Sequence, residues 1–326
     1  MSTVEMFDEV VDRKRLEPAR EITKPIVGPD PLTAYWYKAR KNGFGGSEAA
    51  GACGVSRYDT PYSLYLRKRG ELDEFEGNDA TEMGLELEPI VVRRYAKKTG
   101  RTIAQAPMPM LIHPDVPYMF ATPDAMLDGN ELLSVKTTAS WPLAKELADM
   151  EGTDFVPAEW VIQGQQEMAI TGAEVCHVAL LLFGRDLRTF RIDRNDDLIA
   201  SMIRIEGELW QRIVDGNPPS PDFQHPRTAD MIHAMHGLAE GTTIALGEDA
   251  EALWMEQEGI AEQIKELTAR RKSIRAQIEH AMGEAALGTV PSGNFVIARN
   301  QVNRKGYSVD PTTYITLSAK TKGKKP

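Results

Sequence analysis

Helix-like and strand-like patterns of hydrophobic residues alternate along the chain between Ala34 and about Phe223. Apolar residues recur at helical spacing in 85–98, 157–171 and 198–214, which predicts three helices. Short apolar or alternating runs predict strands at 110–113, 118–122, 125–127, 132–137, 176–183 and 187–192. Asp128-Gly129-Asn130 and Gly184-Arg185-Asp186 each separate two consecutive predicted strands, so both pairs are predicted to be β-hairpins. This alternation is typical of an α/β domain.

The pattern changes in the last third of the chain. Between 248 and 286 apolar residues are spaced by threes, fours and sevens among many charges, which predicts one long helix or a helical pair. A helix must bury such a stripe, so we expect it to dock or to self-associate. The segment 293–307 is predicted to form a strand pair. The stripe consists of Leu253, Ile260, Ile264, Leu267, Ile274, Ile278 and Met282.

Turn-rich and charged segments divide the chain into four predicted parts. Residues 1–30 form an N-terminal extension, and the main domain covers 31–225, closing after the proline-rich turn at 216–221. A helical and β-hairpin accessory region follows at 240–310, and 311–326 is a basic, flexible tail.

Composition and charge narrow the function classes. Hydrophobic residues make up 42% and charged residues 26%, which is ordinary globular composition. No apolar run is long enough for a membrane span and the start does not resemble a secretory signal, so we expect a cytoplasmic protein. Cys53 and Cys176 lack the spacing of a zinc site or a disulfide framework. The net charge of -10 argues against indiscriminate coating of nucleic acid, although a local basic cleft is compatible with it.

Two predicted strands carry residues suited to metal-dependent hydrolysis of phosphodiesters. That chemistry needs carboxylates for Mg²⁺ and a cation near the phosphate. Asp124 follows a predicted strand, and Ser134 and Lys136 lie two apart on the next hairpin strand, so their side chains share a face. The layout is that of a PD-(D/E)xK nuclease. The alternative is that Lys136 is an edge-strand lysine that faces solvent.

Two helices add further candidates. Glu88 lies on the predicted helix before the hairpin, where the alternative is a solvated helix acid. Gln163 and Gln166 are three apart on the helix after the hairpin and can share a helical face.

Together these residues and several short motifs resemble the phage lambda exonuclease and YqaJ-like viral recombinase nucleases. The resemblance runs from about Arg40 to Asp222. No single motif is specific, but their order and spacing are. The motifs are Gly45-Gly46-Ser47-Glu48-Ala49-Ala50, Cys53-Gly54-Val55-Ser56 with Tyr58, Thr60-Pro61, Leu64-Tyr65, Lys68, Gly70, Asn78, Met83-Gly84, Glu88-Pro89, Ala121-Thr122-Pro123-Asp124, Val135-Lys136-Thr137, Gln163 and Gln166-Glu167-Met168.

The resemblance implies a role for each candidate residue. Lys136, Asp124, Glu88 and Gln163 are implied to be catalytic. Mg²⁺ or Mn²⁺ is implied to be held by Glu88, Asp124, the position of Ser134 and the backbone carbonyl of Val135. Arg40, Ser47 and Gln166 are implied to bind DNA or its 5′ phosphate, for which backbone N–H groups at a helix start offer a physical basis. The alternative for Ser47 is a plain helix N-cap.

The resemblance also implies a fold and a biological setting. The fold is a restriction-endonuclease-like PD-(D/E)xK core, with a central mixed sheet flanked by helices, followed here by a C-terminal helical accessory segment. The activity is resection of one strand of linear duplex DNA, 5′ to 3′, in the cytoplasm of a bacterial cell by a phage-encoded or prophage-encoded enzyme. The implied partners are duplex DNA ends and a phage single-strand annealing protein, and rings around DNA are known in the family.

Ser134 departs from the family pattern, which has Glu at this position. A neutral hydroxyl does not replace a carboxylate's charge at Mg²⁺, so we expect weakened catalysis. Three explanations compete: an inactivating substitution, which the sequence favours, a lineage that kept only DNA-end or partner binding, or another acid that has moved in. Glu131 faces the opposite side of a regular strand, which makes Glu167 on the neighbouring helix the better substitute.

Overall fold

The computed structural model describes residues 25–73, 77–147, 150–235, 243–294 and 296–300. The chain divides into two compact units, Met1–Gly237 and Leu238–Pro326. In the described part, no helix is long and apolar enough to span a membrane. Most of the predicted N-terminal extension and the whole basic tail lie outside the described residues.

A five-stranded mixed sheet forms the centre of the first unit. Its strands lie in the order β2–β5–β6–β7–β8. Strands β6 and β7 are parallel, and the other neighbours are antiparallel. Every residue of β7 is buried, which matches the continuous apolar run that predicted it. The bounds are β2 Ile103–Gln105, β5 Ala125–Leu127, β6 Glu131–Thr138, β7 Val175–Leu182 and β8 Asp186–Asp193.

Helices cover both faces of this sheet, because alternate residues of β6 and β7 point to opposite sides. Helix α4 (Asp79–Thr99) packs its Val91, Val92 and Tyr95 on Leu133 of β6 and its neighbours. Helix α6 (Ala158–Thr171) packs Met168 on the opposite face, together with Leu132. The connection from β6 to β7 also contains the short helix α5 (Trp141–Glu146). This architecture confirms the predicted fold class, a central mixed sheet flanked by helices.

A second layer of helices packs beside α6. It contains α1 (Ala34–Arg40), α2 (Gly46–Ala52), α3 (Pro61–Arg69), α7 (Asp196–Asp215) and α8 (Thr228–Met235). Ala49 and Ala50 of α2 contact Ile162 of α6 in one buried cluster with Met202. The start of α2 is therefore held against the helix that carries the predicted glutamines.

The loop before α2 lies tightly against a small sheet of β1 (Ile26–Val27), β3 (Leu111–Ile112) and β4 (Phe120–Ala121). Phe44 donates its backbone N–H to Tyr118 and accepts from Phe120. A Cβ on Gly43 would lie 2.1 Å from the Tyr118 carbonyl oxygen, so only glycine fits there. This contact fixes the entry into α2 beside the strand that leads to Asp124.

In the second unit, the single helix α9 (Asp249–Met282) confirms the prediction of one long helix and not the helical pair. None of its residues is buried, and its predicted apolar stripe is exposed from Leu253 to Ile278, whereas Met282 is half-buried. A hairpin of β9 (Leu287–Thr289) and β10 (Val296–Ala298) follows. The strand pair predicted at 293–307 is thus wrong in extent. Strand β10 lies inside that range, but its partner β9 precedes it. Residues 301–307 lie outside the described residues.

Candidate active site

Asp124 lies in the turn between β4 and β5, against the middle of β6. Its Oδ2 accepts a hydrogen bond from the backbone N–H of Val135 at 2.5 Å. Burial raises the pKa of Asp124, while Lys136 and the bond from Val135 act in the opposite direction. The carboxyl is therefore fixed beside the strand that carries Ser134 and Lys136.

Lys136 faces helix α6, not solvent. Its Nζ donates to Oε1 of Gln163 at 2.7 Å, and Nε2 of Gln163 donates to Oε1 of Glu167 at 2.8 Å. Strand β6 also has β5 and β7 on its two sides, so it is not an edge strand. The alternative of a solvent-facing edge lysine is wrong, and Lys136 and Gln163 meet as the resemblance implies.

Glu88 and Glu167 lie on α4 and α6, the helices that cover opposite faces of the sheet, and both carboxyls interact electrostatically with Asp124 and Lys136. Burial, then the charge of Asp124, raises the pKa of Glu88 to about 7, and Lys136 partly offsets this. The same causes raise the pKa of Glu167 to about 8. Glu88 therefore senses Asp124 and Lys136 electrostatically, which excludes the alternative of an acid fully solvated on its helix.

Ser134 and Glu131 differ in their surroundings. The Ser134 side chain is buried on the face directed at α6, and its hydroxyl has no hydrogen-bond partner among the residues that the structure describes. Glu131 pairs with Arg101 and His177 instead. Glu131 and Ser134 are three residues apart on β6, so their side chains point to opposite faces of the sheet. Glu131 is therefore a poor substitute for an acid at position 134.

The donors at this centre suit a hard divalent cation. They are carboxylate oxygens of Glu88, Asp124 and Glu167 with the hydroxyl of Ser134, and oxygen ligands are what Mg²⁺ and Mn²⁺ prefer. Within the described part of the chain, the Ser134 hydroxyl and Oε2 of Glu167 are buried without a hydrogen-bond partner, as expected of groups that bind another ligand. Within the described residues, no three His, Cys, Asp or Glu side chains are grouped closely enough to hold an ion as they stand.

A second charged cluster lies where α1, α2 and α3 meet. Glu48 accepts from the backbone N–H of Gly45 at 2.9 Å and from Lys68 at 2.8 Å, and its other ion-pair partner is Arg40 at 3.4 Å. Burial acts to raise the pKa of Glu48, but Lys68 and Arg40 outweigh it and hold the pKa below its usual value. Glu48 thereby positions Arg40 at the start of α2.

Arg40 and Ser47 both lie at this helix start. The Arg40 guanidinium stacks over Trp36 at 4.8 Å, and Trp36 donates its indole N–H to Thr122, two residues before Asp124. Ser47 is exposed, and the N-cap is Gly45, so the N-cap alternative for Ser47 is wrong. These positions leave both side chains accessible to an anion.

Gln166 does not lie in the site. It is completely buried, and its Nε2 donates to the backbone carbonyls of Phe44 and Phe120 at 2.9 Å each. Contrary to the predicted DNA contact, Gln166 ties the entry loop of α2 to β4. The prediction failed because helical spacing places Gln163 and Gln166 on one side of α6 but does not reveal how deeply each is buried.

Sequence reasoning gave no separate role to Glu48, Lys68 and Trp36. Lys68 stands between Arg67 and Arg69 in a basic run, which favours a solvated surface, yet its side chain is only 1% exposed. A usable signal was the position of Glu48 three residues after Gly45, because a Glu at that place in a first helical turn accepts a hydrogen bond from the N-cap backbone N–H.

Replacing Glu48 with Gln is expected to lower the free energy of unfolding by about 3 to 5 kcal/mol, because it leaves the buried Lys68 charge without its partner. Chemical denaturation measures the change. The matched control is Glu159→Gln, whose partner Arg57 has a side chain that is 53% exposed, and a loss below about 1 kcal/mol is expected there. Equal losses in the two variants would contradict the structural role of Glu48.

The raised pKa of Glu167 predicts a pH-dependent difference in stability for the metal-free protein. Below the usual value of 4.5 this carboxyl is protonated in both states, whereas above it only the folded state retains the proton, up to about pH 8. The stabilising proton is therefore lost as pH rises through this window. Glu167→Gln should gain stability over the unsubstituted protein, from near zero at acid pH to a few kcal/mol above pH 8.

Denaturant unfolding in the presence of a chelator, at several pH values, measures this difference. Taking the difference between two proteins cancels the contributions of other titrating groups. A difference that shrinks as pH rises would contradict the prediction.

The mixed sheet and its helices place Asp124 and Lys136 on adjacent segments, in the layout that the sequence predicted for a PD-(D/E)xK nuclease. Residues 35–174 match the family model of the YqaJ-like viral recombinase domain. The matched segment contains Glu88, Asp124, Lys136 and Gln163, and the match agrees with the resemblance that the motifs carry.

One curated relative and several solved structures are similar to this chain. The uncharacterized protein YqaJ of Bacillus subtilis (strain 168) is 29% identical over 272 residues, which cover 80% of this chain and 81% of that protein. An alkaline exonuclease (LHK-Exo) from Laribacter hongkongensis is 22% identical with a TM-score of 0.48, covering 57% of this chain and 94% of that one. A phage related exonuclease from Haemophilus somnus 129PT is 14% identical with a TM-score of 0.38, covering 52% and 92%.

Proposed function

We propose that this chain is a Mg²⁺-dependent or Mn²⁺-dependent DNA exonuclease that digests linear duplex DNA from its ends, 5′ to 3′, in phage-type recombination by single-strand annealing. The observation that carries the proposal is the convergence of Asp124, Glu88 and Lys136, with Lys136 fixed by Gln163. The nuclease domain takes 31–225, as the sequence predicts, and the accessory region and tail follow it.

Each residue has a distinct task in the hydrolysis. Asp124 and Glu88 would hold the cation, with the Val135 carbonyl beside them. When bound, the cation supplies an activated water and offsets the charge that develops on the phosphate. Lys136 directs its ammonium group into the same centre, where it stabilises the negative charge of the phosphate. The bond from Gln163 holds Lys136 in this position before DNA binds.

Recognition of a DNA end is assigned to Arg40 and Ser47. Helix α2, which begins beside these two residues, packs directly on helix α6, which carries Gln163. A Cβ on Gly46 of α2 would lie 3.4 Å from Cγ of Gln163. A terminal phosphate at Arg40 and Ser47 would thus bind close to the catalytic residues. This proximity supports an enzyme that acts at ends, where a local pair of donors suffices despite the acidic net charge.

Digestion of linear duplex DNA with 5′ phosphates tests the proposal. We expect mononucleotides in Mg²⁺ or Mn²⁺, none with a chelator, and none from covalently closed circular duplex. Label placed at the 5′ or the 3′ end reports the polarity. Absence of digestion in both metals would contradict the proposal.

Ser134 supports a second candidate, a catalytically inactive DNA-end-binding or interaction protein on the same fold. Its prediction is binding to duplex ends that persists in chelator, without digestion in either metal. An annealing protein as partner and a ring-shaped homo-oligomer remain parts of the proposed setting, and the exposed apolar stripe of α9 is a surface on which such contacts can form.

A further inference from the structure

The site lacks one negative charge at the position of Ser134. A hydroxyl offers a cation an oxygen but no charge, and this hydroxyl is buried with no hydrogen-bond partner in the described segments. A site left so would hold a divalent cation poorly. The question is therefore whether a neighbouring carboxyl supplies the negative charge that position 134 lacks.

Glu167 has the properties of a displaced ligand. Its side chain is 1% exposed on the face of α6 that packs against β6. Oε1 accepts from Gln163, which also holds Lys136, whereas Oε2 is buried and has no hydrogen-bond partner among the described residues. Burying an unpartnered carboxyl oxygen is costly, and where the same side chain is connected to Lys136 of the proposed cation site, it points to a ligand that arrives later.

We propose that Glu167 supplies the carboxylate that Ser134 lacks, so that Glu88, Asp124 and Glu167 together hold the catalytic divalent cation. The acid has moved from strand β6 to helix α6, and the chain is an active enzyme, not an inactivated one. The inference rests on the proposed function. Since Oε1 is engaged by Gln163, Oε2 is the atom directed to the cation. Among the described residues the three acids are not grouped at ligand distance, so binding the cation would require their side chains to move towards it.

The chain offers a matched control for this idea in Glu206 on α7. Glu206 is also completely buried, and neither of its carboxyl oxygens has a hydrogen-bond partner in the part of the chain that the structure describes. The charge that acts on it is that of Glu48, not that of Asp124. Comparing Glu167→Gln with Glu206→Gln thus separates the removal of a buried carboxylate from the removal of a cation ligand.

Mn²⁺ binding without DNA, measured by calorimetry, and the thermal midpoint of the metal-free protein test the proposal on the full chain. We expect Glu167→Gln to weaken Mn²⁺ binding by about tenfold or more, and Glu206→Gln to leave it unchanged. Both variants should raise the metal-free midpoint at neutral pH, because each removes a buried carboxyl whose raised pKa makes it take up a proton on folding. The double variant Ser134→Glu/Glu167→Gln returns the acid to the strand and should bind Mn²⁺ like the unsubstituted protein.

Asp124→Asn separates failure of this inference from failure of the proposed function. If Asp124→Asn abolishes Mn²⁺ binding and Glu167→Gln does not, Glu167 is not a ligand and the inference is overturned, while the nuclease site stands. If Asp124→Asn also binds Mn²⁺ normally, the cation site itself is misplaced and both fail. Should Glu167→Gln not fold, as judged by circular dichroism, the double variant decides: a folded double variant without Mn²⁺ binding overturns the inference.

Discussion

Replacing Asp124 with Asn is expected to reduce digestion of linear duplex DNA by on the order of a thousandfold, because it removes the central acid of the proposed cation site. The Asn side chain retains an oxygen that can accept the hydrogen bond from Val135, so the local fold should persist. Release of acid-soluble nucleotides in saturating Mg²⁺ measures the loss.

The matched control for this substitution is Asp128→Asn. Asp128 lies in the exposed turn that joins β5 to β6, close to Asp124 in sequence but outside the site. Activity equal to that of the unsubstituted protein is expected for this control. Substantial digestion by a folded Asp124→Asn variant would show that the Asp124 carboxylate is not required for hydrolysis.

Lys136→Met should reduce the digestion rate by about a hundredfold to a thousandfold while leaving DNA-end binding and Mn²⁺ binding intact. Methionine keeps much of the apolar stem and removes only the charged group that bonds Gln163. Single-turnover digestion with enzyme in excess measures the chemical step, and a gel shift in chelator measures end binding.

Lys97→Met serves as the control for Lys136, because Lys97 is exposed near the end of α4. It removes one positive charge from the same domain without touching the site, so both rate and binding should be preserved. If Lys136→Met lost end binding but digested bound DNA at the normal rate, Lys136 would belong to DNA recognition and not to the chemistry.

The sequence predicted four of the five strands of the central sheet, β5 to β8, because each of them carries its own signal, but it did not predict the edge strand β2 (Ile103–Gln105). The continuous apolar run of β7 indicated burial on both faces, and glycine-containing turns marked the hairpins on either side. The spacing of Ser134 and Lys136 correctly placed both on one face. These features depend on residues near one another in the chain, where periodicity is informative.

The site's remaining features depend on contacts between distant elements. Nothing local distinguishes Lys68 from the arginines beside it, and only the packing of α3 against α2 turns it towards Glu48. Gln166 was misassigned for the same reason, since its partners Phe44 and Phe120 come from a loop and a strand far away in sequence. Burial of polar groups is set by tertiary structure, which no short pattern encodes.

The side-chain amide of Gln163 lies between the ammonium group of Lys136 and the carboxyl of Glu167. It bonds Lys136 through its oxygen and Glu167 through its nitrogen. A direct ion pair between Lys136 and Glu167 would let the two groups neutralise each other in a buried setting. The neutral amide links the two side chains without an ion pair. Lys136 therefore keeps its charge for a phosphate, and the Glu167 carboxyl, whose pKa is raised to about 8, keeps a proton that it can release to bind a metal ion.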